Sequence, residues 1–211
     1  MKKTFLGQAW LILLLAVCFG GLLAGVQVAW GPKIEANKED DARSQIPDIV
    51  PGARAELTPP AADVEARDPQ GGRQAYRVYR AMGPGEPDAV QLGWVVKAKG
   101  AGYADTIEVL IGLDLRAERI TGLAVLAQNE TPGLGSKIAK PKWRGQFAGK
   151  STQRPLEAVK KGQVAADHHI QAVSGATISS ESVCKIVNRA LADLAGRLRS
   201  GRIEDSAKAS E

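Results

Sequence analysis

The N-terminal segment of this chain limits its fold most strongly, because no Asp, Glu, Lys or Arg lies between Thr4 and Pro32. As a helix, Phe5 to Trp30 would measure roughly 39 Å, enough to cross the ~30 Å hydrocarbon core of a bilayer with some tilt. Lys2 and Lys3 also fit the start of a cleavable secretory signal, but the apolar run is too long and lacks a clear cleavage site. We therefore predict a retained transmembrane anchor over residues 1–32.

Basic residues on both sides of the anchor leave its orientation open. Lys2 and Lys3 precede the apolar run, and Lys33, Lys38 and Arg43 follow it. Positive charge alone therefore does not decide which side is cytoplasmic. A short tail ahead of the first apolar helix favours the tail inside the cell and the rest of the chain outside.

Length, charge and cysteine content exclude several classes of protein. The 211 residues allow one globular domain and an appendage. Its 28 basic and 23 acidic residues give a net charge of +5 without a dense basic block, so we expect no nucleic-acid partner. Cys18 lies in the anchor and Cys184 beyond it, which excludes a disulfide within the domain and leaves the redox compartment open.

The segment that follows the anchor is polar and rich in proline. Six prolines fall between Gly31 and Gly72. Residues 33–72 are therefore predicted to form a juxtamembrane stalk and connecting segment. We place the folded domain at residues 73–200, beginning near Gln74, and a polar tail at residues 201–211.

Four runs in that domain have the composition and alternation of β-strands. They are Ala75–Ala81, Val90–Ala98, Thr106–Leu113 and Arg119–Ala127. The polar residues between the last two runs, Asp114 to Glu118, suit a hairpin loop. The sequence thus predicts a small antiparallel meander.

Helical patterns follow the strands. We predict short helices around Lys137–Phe147 and Pro155–Lys161. From Ser180 to Leu198, apolar residues recur at three- and four-residue spacing, which predicts an amphipathic helix. Strands followed by helices without regular alternation indicate an α+β domain with an antiparallel sheet and a C-terminal helix, preceded by the transmembrane helix.

A hydroxyl-rich run stands immediately before that helix, Ser174-Gly175-Ala176-Thr177-Ile178-Ser179-Ser180. Gly175 and Ala176 leave room around the Thr177 hydroxyl, and Ser179 or Ser180 is a natural N-cap. A phosphate esterified to Thr177 would lie near the unpaired N–H groups of the helix start, where anions are stabilised. An ordinary Ser-rich helix start would have the same appearance.

A second motif, Glu130-Thr131-Pro132-Gly133-Leu134-Gly135, begins 47 residues upstream of Thr177. Pro132 and Gly133 suit the middle of a type II turn. Gly133 and Gly135 let the backbone approach a flat ligand closely. Alone, this segment indicates only a turn.

Together, the two motifs resemble the FMN-binding domain of the G subunit of Rnf electron-transport complexes and of the related C subunit of sodium-pumping quinone reductases. The resemblance also covers Leu92-Gly93-Trp94-Val95-Val96, Gly102-Tyr103-Ala104-Asp105, Ile46 to Gly52 and the anchor. It implies that a separate flavin transferase transfers FMN from FAD to Thr177. It further implies that Glu130, Thr131, Gly133, Leu134 and Gly135 line the flavin, and that Ser174, Gly175 and Ala176 shape its phosphate end.

The same resemblance implies an electron-relay subunit of an Rnf-type ferredoxin:NAD oxidoreductase that translocates ions. Its partners would be the other membrane subunits, the flavin transferase and membrane lipid. Its place would be the bacterial inner membrane, as a single-pass protein with the domain on the periplasmic side. A quinone-reductase C-type subunit, or a membrane-anchored interaction module without flavin, is the alternative.

Two positions depart from the family pattern. Gln171 stands where an acidic residue is often found three positions before Ser174, which affects recognition by the transferase. Asn129 stands where a histidine frequently precedes Glu130, so its polar contact would differ. Neither change removes the Thr177 hydroxyl.

Other reactive side chains are interpreted as structural. Asp167, His168 and His169 lack a third spaced ligand, so we assign no metal. Cys184 is predicted to be a small buried side chain, and Trp143 and Phe147 are predicted to pack in the core. Motifs for NAD, iron–sulfur clusters or a Ser nucleophile are absent from the sequence, so we assign no catalytic residue and expect the electron chemistry to belong to FMN.

Overall fold

A computed structural model describes residues 3–67, 73–85, 88–200 and 203. The chain divides into two compact units, residues 1–41 and residues 42–211. The predicted tail at 201–211 lies outside the described residues except for Ile203.

The first unit consists of one long apolar helix. Helix α1 (Lys3–Ser44) continues through Pro32 into a polar stretch. It is the only helix in the described residues long and apolar enough to cross a membrane by length and composition, with a mean hydropathy of 2.3 in its apolar window. Its apolar side chains from Trp10 to Trp30 are largely exposed. An apolar surface of this length suits lipid, which makes α1 a candidate for the predicted membrane anchor.

The segment predicted to be an irregular stalk is largely ordered, which corrects the domain start near Gln74. α1 extends to Ser44 with Pro32 inside it, although an interior proline removes one helix hydrogen bond and crowds the carbonyl four residues earlier. After it come α2 (Ile46–Ile49), a 3₁₀ turn (Ala55–Leu57) and a strand, β1 (Pro60–Arg67). The sheet thus begins within the predicted stalk, one strand earlier than expected.

The four predicted strands are confirmed, and with β1 they form a five-stranded antiparallel sheet in sequence order. They are β2 (Arg73–Gly83), β3 (Val90–Ala101), β4 (Thr106–Asp114) and β5 (Ile120–Ala127). The predicted hairpin loop after Leu113 is also present. The Asp114 carboxylate accepts a hydrogen bond of 2.7 Å from the Glu118 N–H, and Ala117 adopts a positive φ of 51°.

Both faces of this sheet are buried, because alternate side chains of each strand enter different cores. The alternation is clear on β3, where Trp94 and Val96 belong to the larger core and Val95 belongs to the smaller one. The smaller core includes Ile46 and Ile49 of α2. Burial on two faces explains why residues 109–113 in the middle of β4 form an unbroken apolar run.

The region after the sheet contains less helix than predicted. Around Lys137–Phe147 the structure has a 3₁₀ turn (Gly135–Ala139), α3 (Pro141–Arg144) and another 3₁₀ turn (Gly145–Phe147). The helix predicted at Pro155–Lys161 is wrong, since this segment contains β6 (Glu157–Val159), paired in parallel with β7 (His169–Gln171). The Asn188 side chain bonds both the N–H and the carbonyl of Leu156, which holds the chain extended before β6.

The C-terminal helix α4 (Thr177–Arg199) is confirmed and begins three residues before the predicted start. Its buried face packs in the larger core against the sheet and includes Val183, Val187 and Leu191. Trp143 and Phe147 pack in the same core with ring centroids 5.3 Å apart, as predicted. Cys184 is also buried, and burial followed by the nearby Glu181 charge raises the pKa of its thiol to about 12. A thiol in that state is inert at neutral pH.

A partly buried hydrogen bond helps to join α4 to the sheet. The Tyr76 hydroxyl on β2 donates to the Asp193 carboxylate at 2.7 Å. Burial, followed by this bond to Asp193, raises the pKa of the Tyr76 phenol above its ordinary range.

Replacing Tyr76 with Phe is expected to lower the free energy of unfolding by about 2 kcal/mol, because the half-buried Asp193 carboxylate loses a donor. Tyr103→Phe is the matched control, since Tyr103 is 63% exposed and its hydroxyl has no partner among the described residues. Urea unfolding of the two variants and the wild type measures the difference. Equal stability of the two variants would contradict the importance of this bond.

Candidate functional site

The Thr177 hydroxyl lies at the junction of a tight turn and helix α4. Val173 to Ala176 form the turn, which is closed by a hydrogen bond of 2.9 Å from the Ala176 N–H to the Val173 carbonyl. Gly175 has a φ of +80°, the conformation that a type II turn requires at its third position. Thr177 then starts the helix.

The helix start has no side-chain cap, which corrects the prediction that Ser179 or Ser180 serves as N-cap. The N-cap residue is Ala176, and no acidic residue lies in the first turn. Among the described residues, the N–H groups of Thr177, Ile178 and Ser179 have no hydrogen-bond partner. These groups and the helix dipole favour an anion at Thr177.

The two serines instead fix the helix start from inside the domain. The Ser180 hydroxyl donates to the Ala176 carbonyl at 3.0 Å and accepts from the Val173 N–H at 3.0 Å. It therefore braces the turn that precedes Thr177. Ser179 is buried and its hydroxyl donates to the Glu130 carboxylate at 2.5 Å.

The second motif forms the turn that its sequence predicted. Gly133 has a φ of +75°, and the Leu134 N–H donates to the Thr131 carbonyl at 3.2 Å. The Gly133 N–H also donates to the Ser136 hydroxyl at 3.0 Å. The turn thereby presents Leu134, 42% exposed, toward the start of α4.

A cleft of about 400 Å³ separates the two motifs. Its lining combines polar groups and exposed apolar side chains, as binding sites for small molecules do. The lining residues are Tyr103, Thr131, Leu134, Gly135, Gly175, Ala176, Thr177, Ile178 and Ser179. The structure therefore brings six of the nine predicted site residues to one cleft.

Glu130 lies beneath this cleft instead of lining it. Its side chain is 3% exposed. One carboxylate oxygen accepts from the Tyr103 N–H at 2.8 Å and the Ala104 N–H at 3.2 Å, and the other accepts from the Ser179 hydroxyl. A single carboxylate therefore ties the loop between β3 and β4 to the first turn of α4.

Two glycines leave the space that this carboxylate occupies. A Cβ on Gly102 would lie 2.2 Å from a Glu130 carboxylate oxygen. A Cβ on Gly135 would lie 2.8 Å from the Glu130 Cβ and 2.9 Å from the Ser179 hydroxyl. Gly135 therefore permits close packing inside the protein and also forms part of the cleft surface.

Asn129, the departure from the family pattern, makes a local contact with the same loop. Its side-chain amide donates to the Asp105 carboxylate at 2.8 Å. This bond, followed by one from the Thr106 N–H, holds the pKa of Asp105 below its ordinary value. Asn129 thus also holds the β3–β4 loop in place.

Gly133 and Ser174 are the other two predicted residues outside the cleft lining. Tyr103, Ile178 and Ser179 line the cleft and were missed as site residues. Tyr103 and Ile178 are both more than half exposed, and apolar surface gathered around one cleft is a feature of binding sites. The signal for Tyr103 was its place in Gly102-Tyr103-Ala104-Asp105.

The histidine pair gains a neighbour that the sequence did not indicate. Glu157, His168 and His169 offer ligand atoms within 4.8 Å of one another. The structure therefore supplies the third possible metal ligand that the sequence lacked. However, the His169 Nδ1 atom accepts a hydrogen bond from the Ala165 N–H at 3.2 Å. A metal-bound imidazole donates from its second nitrogen, so this arrangement gives no support for a metal.

Comparisons with known proteins define the class of protein. The model of the FMN-binding domain family matches residues 102–192, which include the whole cleft. The crystal structure of the C subunit of a Na⁺-translocating NADH-quinone reductase from Parabacteroides distasonis shares the fold, with a TM-score of 0.55, 22% identity and coverage of 78% of this chain and 93% of that chain. The chain is thus a protein with an FMN-binding domain of α+β fold.

Sequence relatives then give the family. The G subunit of the Na⁺-translocating ferredoxin:NAD⁺ oxidoreductase complex of Acetobacterium woodii is 33% identical over 151 residues, which cover 66% of this chain and 70% of the relative. The G subunit of the ion-translocating oxidoreductase complex of Shewanella baltica is 28% identical, with 90% of each chain covered. The chain belongs to this family, the G subunits of Rnf-type ion-translocating oxidoreductase complexes.

Glu130→Ala is expected to destabilise the domain by about 3 kcal/mol, because two N–H groups and the buried Ser179 hydroxyl lose their acceptor. Hydrogen exchange should accelerate selectively at Tyr103, Ala104 and the first turn of α4. Glu118→Ala, at an exposed carboxylate of the β4–β5 loop, is the control. A uniform increase over the whole domain, or none, would count against this role of Glu130.

Proposed function

We propose that Thr177 carries FMN through a phosphoester bond and that the chain relays electrons within an Rnf-type complex. The observation that carries the proposal is the position of the Thr177 hydroxyl, on the first residue of α4 and in the wall of the cleft. The family match supports FMN as the ligand.

The local backbone suits a phosphate on this hydroxyl. Within the described part of the chain, the three N–H groups of the first turn of α4 are unpaired. That turn contains no acidic residue of its own, although the Glu130 carboxylate bonds the Ser179 hydroxyl from beneath. A phosphodiester on the Thr177 oxygen retains one negative charge, which these donors and the helix dipole stabilise. Covalent attachment needs no catalytic base on this chain, because the family resemblance implies that a separate transferase supplies the chemistry.

The cleft also suits a flat ring system. Tyr103, Leu134 and Ile178 expose apolar surface around Thr177, and Gly135 and Gly175 permit close approach of the backbone. FMN bound here supplies one- and two-electron transfer. The exposed apolar rim leaves it accessible to a redox partner.

Two further predicted residues support the cleft without lining it. Glu130 lies beneath the cleft and accepts a hydrogen bond from the Tyr103 N–H, which holds this wall of the cleft in place. Gly133 shapes the turn that carries Leu134. Both therefore act on the ligand through their neighbours.

The assignment to an electron relay rests on the complexes to which the relatives belong. Both G-subunit relatives belong to ion-translocating oxidoreductases, and one uses ferredoxin and NAD⁺ according to its name. We infer that the partners of this chain are the other membrane subunits and that a flavin transferase matures it. We further propose that α1 anchors it in lipid as a single-pass protein of the bacterial inner membrane, with the domain on the periplasmic side.

Co-expression with a flavin transferase is expected to add one FMN to the peptide that contains Thr177, and Thr177→Ala should abolish the adduct. Thr131→Ala is the matched control, because Thr131 is the other threonine of the same cleft. Mass spectrometry of the proteolysed protein and flavin fluorescence in a denaturing gel measure the outcome. An unmodified wild-type peptide, or an adduct that persists in Thr177→Ala, would refute the covalent link.

Gly175→Ala is expected to reduce flavinylation as well as stability. A Cβ at this position would lie 3.2 Å from a Leu134 methyl group at the edge of the cleft, and the positive φ costs about 1–2 kcal/mol for alanine. Gly149→Ala is the control, since it has the same kind of φ (+81°) and no atom within 4 Å of a new Cβ among the described residues. Both variants should unfold at lower urea, but only Gly175→Ala should acquire FMN more slowly at a temperature where both remain folded.

A further inference from the structure

Glu130 carries a buried charge that has hydrogen-bond donors but no cationic partner in the described part of the chain. The residue is 3% exposed, and its two oxygens accept from the N–H groups of Tyr103 and Ala104 and from the Ser179 hydroxyl. Since an ionised carboxylate only accepts hydrogen bonds, three converging donors suit its charged form. Among the described residues, no lysine or arginine forms an ion pair with it. The donors therefore stabilise the charge without cancelling it.

A thin layer of protein atoms separates this carboxylate from the cleft that contains Thr177. Gly135 lines the cleft, and a Cβ on it would lie 3.0 Å from a Glu130 carboxylate oxygen. Ser179 also lines the cleft, and its hydroxyl bonds that oxygen directly. Tyr103, whose N–H bonds the other oxygen, belongs to the same lining. The charge thus lies directly behind the wall of the cleft.

Burial makes this charge more effective than an exposed one at the same distance. Water and salt screen a charge at the surface, whereas the protein interior has a lower effective dielectric constant. Asp105 belongs to the same β3–β4 loop whose N–H groups bond Glu130, but Asp105 is exposed. The two carboxylates therefore carry the same charge and differ in how strongly solvent screens it.

Resting on the proposed attachment of FMN, we propose that the Glu130 charge lowers the reduction potential of the flavin in this cleft. Reduction by an electron-donating subunit adds two electrons and takes up one proton from water, which leaves one further negative charge on the ring system. The Glu130 carboxylate repels that charge and so destabilises the reduced flavin relative to the oxidised one. It touches no reacting atom and acts through space. A lower potential makes the reduced flavin a stronger electron donor to the next carrier.

A purely structural role for Glu130 is the competing explanation. The same hydrogen bonds tie the β3–β4 loop to α4, and an uncharged side chain of equal shape serves that purpose. A glutamine at this position accepts from the two N–H groups with its carbonyl oxygen and donates to the Ser179 hydroxyl with its amide. Burying a charge also costs more free energy than burying an amide. An effect on the neighbouring cleft gives a reason for the charge that the tie alone does not.

The test compares three flavinylated variants of the full chain with the wild type. Glu130→Gln removes the buried charge and keeps the shape of the side chain. Asp105→Asn is the matched control, because it removes the same charge from an exposed position on the same loop. Ser179→Ala removes one donor from Glu130 and retains the charge. Mass spectrometry of the Thr177 peptide establishes that each protein carries FMN, and spectroelectrochemistry at fixed pH measures its midpoint potential.

Glu130→Gln is expected to favour the reduced flavin at least about tenfold, which raises the two-electron midpoint potential by about 30 mV or more. Asp105→Asn should change the same equilibrium less than about threefold, because solvent screens its charge. Ser179→Ala should lower the potential, since the carboxylate keeps its charge and loses a donor that stabilises it.

An unchanged potential in Glu130→Gln would overturn the proposal. So would shifts of the same sign in Glu130→Gln and Ser179→Ala, which would indicate a displaced cleft wall. If Glu130→Gln acquires no FMN, Ser179→Ala decides alone: a lower potential supports the effect of the charge, and an unchanged or higher one overturns it. A wild-type chain without any FMN adduct would instead refute the proposed function. The affinities of the same chains for free oxidised and free reduced FMN would then test the charge, because their ratio should change about tenfold in Glu130→Gln.

Discussion

The packing of α4 against the antiparallel sheet determines the position of everything else in the site. Its apolar face fills the larger core, and the Tyr76 to Asp193 hydrogen bond joins it to β2. Because Thr177 is the first residue of this helix, its hydroxyl is held at a fixed place relative to the sheet. A reactive position on a packed helix is more precisely located than one on a free loop.

The buried Glu130 carboxylate performs the finer alignment. It accepts hydrogen bonds from the β3–β4 loop and from Ser179, so the two walls of the cleft share one charged acceptor. Charge-assisted bonds of this kind are stronger than neutral ones and costly to break when buried. Gly102 and Gly135 are needed next to it because a side chain at either position would displace the carboxylate.

The sequence predicted the elements whose signals are local, and missed those that depend on distant partners. The strands β2 to β5 and α4 have clear periodicity, and the Thr131–Leu134 turn has Pro and Gly at the required positions. By contrast, β6 was mistaken for a helix because its pairing with β7 and the contact of Leu156 with Asn188 are not visible locally. Likewise, Ser179 resembled a cap, but its hydroxyl bonds Glu130, 49 residues earlier.

Gln171 stands three residues before Ser174 of the turn that precedes Thr177, and the structure shows which of its groups hold it there. Its carbonyl accepts a hydrogen bond of 2.8 Å from the Trp143 indole N–H, and its N–H donates to the Gln146 side-chain carbonyl at 2.8 Å. Because both bonds involve the main chain of Gln171, an acidic residue at this position could make them as well. The departure from the family pattern therefore keeps these contacts and changes the charge, since a neutral amide avoids the repulsion between a carboxylate and a phosphate on the turn that follows.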